Sequence, residues 1–92
     1  MRKITEEMER RGREKSCHTN LLLLNSVIGR YNGGINEVAR MSGIRKSTLH
    51  RKMSGRGDFN VIEILRLSYT LRLTVEQIVE IFLVGYQNEM TA

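Results

Sequence analysis

The sequence predicts an all-α fold of five short helices, and three observations support this prediction. Apolar residues recur at spacings of three and four after residue 19, which is the period of a helix buried on one face. Glycine, asparagine and threonine, which begin and end helices, separate these periodic segments. The sequence contains no proline and no convincing strand-like alternation of apolar and polar residues.

The size and composition of the chain indicate one small domain with an aliphatic core. Its 92 residues are 40% hydrophobic but only 5% aromatic, so leucine, isoleucine, valine and methionine must supply the core. Cys17 is the single cysteine, which excludes an intrachain disulfide and fits a reducing cytoplasm. The N-terminus carries charges where a signal peptide would be apolar. Wholly apolar runs such as residues 21–24 are too short to span a bilayer, so we expect no membrane segment.

The chain divides into three parts. Residues 1–18 are a charged N-terminal arm, residues 19–85 are the helical domain, and residues 86–92 are a C-terminal tail. The arm alternates acids and bases at helical spacing and carries few apolar residues. We therefore expect it to be a frayed helix or a mobile segment.

The first two helices are predicted at residues 20–31 and 35–42. Thr19 or Asn20 can cap the first helix, and the Asn32-Gly33-Gly34 turn ends it. The apolar faces comprise Leu21, Leu24, Ile28 and Tyr31 in the first helix, and Ile35, Val38 and Ala39 in the second.

The third helix is predicted at about residues 46–54, after a turn at Gly43. Leu49 and Met53 face the core at a spacing of four. Ala39, Gly43 and Leu49 lie at mutual spacings of four and six, which suit a helix-turn-helix. In that motif a small residue lets the helices touch, a glycine takes the left-handed turn position, and an apolar residue anchors the second helix.

Two capping residues place the fourth and fifth helices. Asn60 caps the fourth, with Glu63 three residues later as in a capping box, and Thr74 caps the fifth. The expected inward residues are Val61, Ile64, Leu65, Ser68 and Leu71 in the fourth helix, and Val75, Ile78, Val79 and Phe82 in the fifth. Apolar residues cover more than one face of the fifth helix, so it either completes a small core or forms a dimer seam.

Positive charge is concentrated around the predicted helix-turn-helix. The net charge is +5, and residues 38–57 hold six Lys or Arg and no acid, whereas residues 73–92 hold three acids and no base. A helix that is basic on its outer face suits the major groove of double-stranded DNA. The alternative is a solvated helix face without a partner.

The pattern resembles the Cro and lambda-repressor class of helix-turn-helix proteins, the Xre family. The resemblance covers residues 21–82: the helix before INEVARMSGIRKSTLHRKMSG, that motif itself, and the two helices in NVIEILRLSYTLRLTVEQI. The combination RKMSGRGDF…EIL…TVEQIVEIF is similar to small phage and prophage proteins of Gram-positive bacteria. The resemblance implies a five-helix lambda-repressor-like DNA-binding domain in the cytoplasm of a bacterial host cell, associated with the nucleoid.

The resemblance also assigns DNA contacts residue by residue. The first turn and outward face of the third helix correspond to the base-contacting positions, which are Arg45, Lys46, Ser47, His50 and Arg51. Phosphate contacts are expected from Arg40, Thr48, Lys52 and Arg56. Arginine and lysine can donate to guanine O6 and N7, serine can bond several base edges, and histidine can donate or accept.

The chain departs from the family pattern at several positions. Ile35 stands where a phosphate-binding glutamine is usual, so that contact is absent or moved. Arg45 replaces the usual serine or threonine cap, which is worth about 1 kcal/mol, and places a long cation at the helix tip. Ser42 and Lys52 stand where apolar residues are more usual, and Phe59 stands where proline is common.

The sequence shows no candidate for metal binding or catalysis. Cys17 and His18 are adjacent, so their side chains converge poorly, and no second cysteine lies at ligand spacing. Neither a base for a Cys17 nucleophile nor a pair of catalytic carboxylates is recognisable. We expect no metal site, no cofactor and no enzymatic activity.

The sequence thus predicts a small regulator of transcription, a phage or prophage repressor of the Cro type, that reads double-stranded DNA by sequence. Paired half-sites require a homodimer at least on DNA. The N-terminal arm either stays solvated or contacts DNA phosphates. The alternative function is a protein-interaction module, such as an antitoxin or a phage anti-host factor, with a protein partner on the fifth helix.

Overall fold

The computed structural model describes residues 17–91, which form five helices and no β-strand. These are α1 (Leu21–Arg30), α2 (Gly34–Ser42), α3 (Lys46–Met53), α4 (Val61–Leu71) and α5 (residues 75–91). The predicted all-α architecture is confirmed for these residues, and the first three helices begin and end within one residue of the predicted positions. Residues 1–16 of the predicted arm lie outside the described residues, whereas Cys17 and His18 lie within them.

The helix ends follow the predicted capping chemistry. The Asn20 side chain accepts a hydrogen bond from the Leu23 N–H at the start of α1. Asn60 with Glu63 and Thr74 with Gln77 form complete capping boxes at the starts of α4 and α5. These side chains satisfy N–H groups that have no partner within their helices.

Glycine makes the turn between α2 and α3. Gly43 has φ 76°, a left-handed conformation that glycine adopts without the penalty of a side chain. A Cβ atom at this position would lie 2.8 Å from Nη1 of Arg66, the far end of a flexible, exposed side chain that can shift, so the backbone conformation is what requires glycine here. Gly43 therefore fixes how α3 leaves α2.

The core lies where the inner faces of all five helices meet. Its buried apolar residues are Leu24, Ile28, Val38, Ala39, Ile44, Leu49, Phe59, Leu67, Ile81 and Phe82. Phe59, which precedes α4, packs edge-on against Phe82 with ring centroids 5.8 Å apart. The loop before α4 and the C-terminal helix are therefore held by one aromatic pair.

Two of the expected inward residues of α4 face solvent instead. Val61 and Leu65 are 69% and 60% exposed, while Leu67 is completely buried and Ser68 nearly so. Apolar residues cover most of the circumference of α4, so their periodicity did not determine which side faces the core. The predicted inward face of α4 was therefore wrong at Val61 and Leu65.

A π-helical turn changes the inward face of α5. The helix comprises an α-helical start (Val75–Ile78), a π-helical turn (Val79–Leu83) and a second α-helical part (Val84–Thr91). In the π turn the Val84 N–H bonds to the Val79 carbonyl, five residues back. Val75 and Val79, which were expected inside, are 74% and 38% exposed, and Ile81 is buried beside Phe82.

The segment that leads into α1 crosses α5 at close range. The Asn20 N–H donates to the Ile81 carbonyl in the π turn at 2.7 Å. Gly85 lies against the His18 carbonyl so closely that any Cβ atom would collide with it.

None of the helices within residues 17–91 is long and apolar enough to cross a membrane.

Candidate nucleic-acid interface

The burial of Leu49 sets the orientation of α3. Leu49 is completely buried and is the single buried residue of this helix, whereas Ser47, His50 and Arg51 are exposed on its outer side and Lys46 is exposed in its first turn. Arg45 is also exposed and precedes the first helical residue. The structure thus brings all five predicted base-contacting residues to the outer face and N-terminal end of one short helix.

The N-terminus of α3 lacks a side-chain cap. Arg45 has an extended backbone, and its side chain cannot accept a bond from the N–H groups of the first turn. Those N–H groups and the positive end of the helix dipole therefore face the same side as the cations. This end of α3 attracts anions through both its backbone and its side chains.

Four cations of this region form no ion pair with any residue in the described part of the chain. They are Arg45, Lys46, Arg51 and Arg56. Arg56 is exposed in the loop after α3, between Gly55 and Gly57, which both have positive φ. Because these charges are unneutralised by neighbouring carboxylates, they are available to a polyanion.

Arg40, a predicted phosphate contact, pairs with Glu37 one turn earlier on α2. Its Nε donates to Glu37 Oε1 at 3.1 Å, and its Nη2 also bonds the same carboxylate. The hydrogen bonds from Arg40 lower the pKa of Glu37, and the pair raises the pKa of Arg40. The Arg40 side chain is 67% exposed and that of Glu37 is 34% exposed, so solvent screens this pair and a phosphate can compete for Arg40.

Lys52 is held more firmly than the other cations. Its Nζ donates to Glu63 Oε1 at 2.7 Å, and both side chains are only 13–14% exposed. The same carboxylate oxygen accepts the Asn60 N–H in the capping box of α4. Lys52 thus joins the end of α3 to the start of α4, and its phosphate contact stays a prediction.

Thr48 and Ile35 complete the set of residues singled out from the sequence. Thr48 is half-buried on α3, between the buried Leu49 and the exposed face. Ile35 is half-buried and packs against the core at the start of α2. The position where the family pattern has a phosphate-binding glutamine is therefore used for packing here.

Sequence reasoning missed a polar cluster around His18. Its Nδ1 lies 2.7 Å from Asp58 Oδ2, its Nε2 lies 2.9 Å from Glu89 Oε2, and its backbone N–H donates to Asp58. The imidazole stacks on the Tyr86 ring at 4.0 Å. This cluster joins the segment before α1, the loop after α3 and the last turns of α5.

The His18 cluster has shifted acid–base equilibria. Hydrogen bonds to Glu89 and then to Asp58 raise the pKa of His18 above 6.5. Burial, followed by the nearby Asp58 charge, raises the pKa of Tyr86. Across residues 17–91, no group of three or more His, Cys, Asp or Glu is arranged to hold a metal ion.

The Lys52–Glu63 ion pair and the His18 cluster were not visible in the sequence, because each joins positions that are far apart in the chain. Lys52 and Glu63 are 11 residues apart, and His18 is 40 residues from Asp58 and 71 from Glu89. The residues from Tyr86 on, which were assigned to a tail, continue α5 as far as Thr91. The Arg40–Glu37 pair alone had a signal, the i,i+3 spacing of opposite charges.

No match to this chain was found among models of protein families, among curated proteins or among solved structures. The chemistry of α3 and its surroundings must therefore carry the functional assignment.

Replacing Lys52 with methionine should destabilise the fold. The methionine retains much of the apolar stem but leaves the Glu63 carboxylate half-buried without its cation. We expect the free energy of unfolding to fall by about 1–3 kcal/mol in urea titrations. The control is Arg51→Met, an exposed neighbour, which should change stability by less than about 0.5 kcal/mol. Equal losses in the two variants would show that the Lys52–Glu63 pair does not hold α3.

The His18 cluster predicts that stability decreases as pH rises. Because the pKa of His18 is raised on folding, its contribution is fully present below pH 6.5 and is lost as pH rises through the folded-state pKa. Melting temperatures between about pH 5 and pH 8.5 should therefore decline more for the natural chain than for His18→Gln. Parallel pH profiles for the two proteins would mean that the cluster does not stabilise the fold.

Proposed function

We propose that this chain is a sequence-specific regulator of transcription that binds double-stranded DNA through a helix-turn-helix made of α2, the Gly43 turn and α3. It would belong to the Cro and lambda-repressor class and be encoded by a phage or prophage, acting at the bacterial nucleoid. The proposal includes no catalytic role and no cofactor. One observation carries it: α3 is anchored by Leu49 and presents only polar and basic residues on its outer face.

The outer face of α3 has the chemistry that base recognition needs. Arg45, Lys46 and Arg51 can donate to guanine O6 and N7, and Ser47 and His50 can bond other base edges. A helix of eight residues is long enough to place its first two turns in the major groove. None of the three cations is engaged by a carboxylate of residues 17–91, so binding DNA breaks no ion pair described there.

Phosphate contacts should differ in strength according to the structure. Arg56 is exposed and unpaired within the described part of the chain, so we assign it a full phosphate contact. Arg40 must exchange Glu37 for a phosphate, and Lys52 must leave or share Glu63. Thr48 is half-buried at the edge of the outer face of α3, so its hydroxyl can donate to a phosphate only from that edge. Arg56 should therefore contribute most to the salt dependence of binding among these four.

A binding titration with the DNA upstream of the chain's own gene tests the proposal. The dissociation constant should rise steeply with salt, as counterions return to the phosphates. At one fixed salt concentration, binding should be at least about a thousandfold tighter than to a scrambled duplex of equal length. Steep salt dependence without that preference would indicate only a basic surface and would contradict sequence recognition.

Replacing Arg45, Lys46 and Arg51 together with alanine should abolish specific binding. All three side chains are exposed, so the melting temperature should stay nearly unchanged. The control is Arg30→Ala, which removes an exposed cation of α1 that is assigned no DNA contact. This control should keep most of the affinity. Unaltered affinity in the triple variant, measured by fluorescence anisotropy, would overturn the assignment.

A second candidate function is a protein-interaction module, such as an antitoxin or a phage anti-host factor. The exposed apolar residues of α5 favour it, since Val75 and Met90 are 74% and 84% exposed. A tight stoichiometric partner obtained by purification from the native host, together with absence of DNA preference, would select this function over the first.

A further inference from the structure

Two apolar surfaces are left uncovered on the described part of the chain. The first is a groove between the end of α2 and α4, formed by Met41, Leu65, Arg66, Tyr69 and Arg72. It comprises two adjoining clefts of about 400 and 590 Å³. Its apolar side chains are 54% (Met41), 60% (Leu65) and 88% (Tyr69) exposed. Contiguous exposed apolar residues of this kind mark interaction surfaces.

The second surface is a stripe along α5. It consists of Val75, Val79, Leu83 and Met90, which lie four, four and seven residues apart and so share one side of the helix. They are 74%, 38%, 42% and 84% exposed. The opposite side of α5 is occupied by the buried Ile81 and Phe82, so the stripe points away from its own core.

The charges beside the two surfaces are opposite. Arg66 and Arg72 border the groove, are exposed and form no ion pair within residues 17–91. Glu76 and Glu80 border the stripe, are exposed and likewise lack a cationic partner within those residues. The groove thus has the size, apolar character and charge that would receive an acidic amphipathic helix, and α5 is such a helix.

We propose that the groove of one copy receives the stripe of a second copy, and that the second groove receives the first stripe. A reciprocal contact of this kind closes on a two-fold axis and gives a dimer instead of a filament. It places Arg66 and Arg72 of each copy against Glu76 and Glu80 of the other. The inference deepens the proposed function, since a regulator that reads paired half-sites needs two copies.

The proposed contact uses none of the side chains assigned to DNA. The groove and the stripe lie on α2, α4 and α5, whereas the base contacts lie at Arg45 and on α3. Dimerisation can therefore be measured without DNA, and loss of pairing and loss of DNA binding are separate results.

Charge reversal tests the reciprocal contact. One variant carries Arg66→Glu and Arg72→Glu, and the other carries Glu76→Lys and Glu80→Lys. Sedimentation equilibrium without DNA should show the natural chain as a dimer and each variant weakened at least about tenfold. A 1:1 mixture should form a heterodimer within about threefold of the natural affinity. In that mixed pair one contact is natural and the other has both charges reversed, so both attract.

Other outcomes identify the contact that would replace this one. Continued dimerisation of the arginine variant alone would indicate stripe-to-stripe packing, and continued dimerisation of the glutamate variant alone would indicate groove-to-groove packing. Either result, or a natural chain that stays monomeric at about 100 µM, overturns the proposal. The control is Arg30→Glu, which reverses an exposed charge outside both surfaces and should leave pairing intact.

Far-UV circular dichroism checks that each variant is folded. If the arginine variant does not fold, Arg66→Gln with Arg72→Gln removes the charges without reversing them. That neutral variant should still weaken pairing at least about threefold, because each contact loses its attraction. An unchanged dimerisation constant in the neutral variant contradicts the role assigned to the two arginines.

Discussion

The arrangement of the molecule depends on the burial of Leu49, because this one residue decides which side of α3 meets the core. With Leu49 completely buried, Ser47 and Arg51, two residues before and after it, lie on the opposite side of the helix, His50 is exposed beside them, and Lys46 is exposed in the first turn. Burial of a leucine side chain contributes about 1.5–3 kcal/mol, which is substantial for a helix of eight residues. The Lys52–Glu63 ion pair and the Phe59–Phe82 contact then hold the end of α3 and the following loop on the same core. The outer face of α3 is consequently defined by packing and not by the charges themselves.

Two ion pairs reduce the number of basic residues that are available to an anion, compared with the number that the sequence suggests. Six basic residues occur between positions 38 and 57, but Arg40 and Lys52 are paired with carboxylates from outside that range. The cations of this range that form no ion pair within residues 17–91 are Arg45, Lys46, Arg51 and Arg56, at the two ends of α3. This difference between the paired and the unpaired cations has a functional consequence. One lysine stabilises the placement of the helix, while the neighbouring cations remain available to a polyanion without loss of an ion pair described in residues 17–91. Stability and nucleic-acid affinity can therefore be changed by different substitutions in the same short helix.

Local chemistry made most of the fold predictable, and long-range chemistry accounts for what was missed. Asn60 and Thr74 cap helices because their side chains reach N–H groups three residues away, which the sequence displays directly. The exposed face of α3 was likewise predictable from Leu49 and its spacing. The π turn in α5 was not, because it adds a residue to one helical turn and displaces the residues within and after it from α-helical spacing, and Ile81 is buried there beside Phe82. The His18 cluster joins three segments that only the folded chain brings together. The groove and the stripe include Leu65 and Val75, which were expected in the core and lie outside it.

The most direct test of the central claim, that the outer face of α3 reads DNA, is an NMR titration of the isotope-labelled chain. The titrant is a duplex from the region upstream of its own gene, added at moderate salt. Backbone signals in the first turn of α3 and side-chain signals of Arg45 and Arg51 should shift most. Signals of the buried Leu49 should shift little, because the helix already has its orientation. A result in which the largest shifts come from Leu65, Tyr69 and the rest of the groove, with α3 unperturbed, would contradict the account.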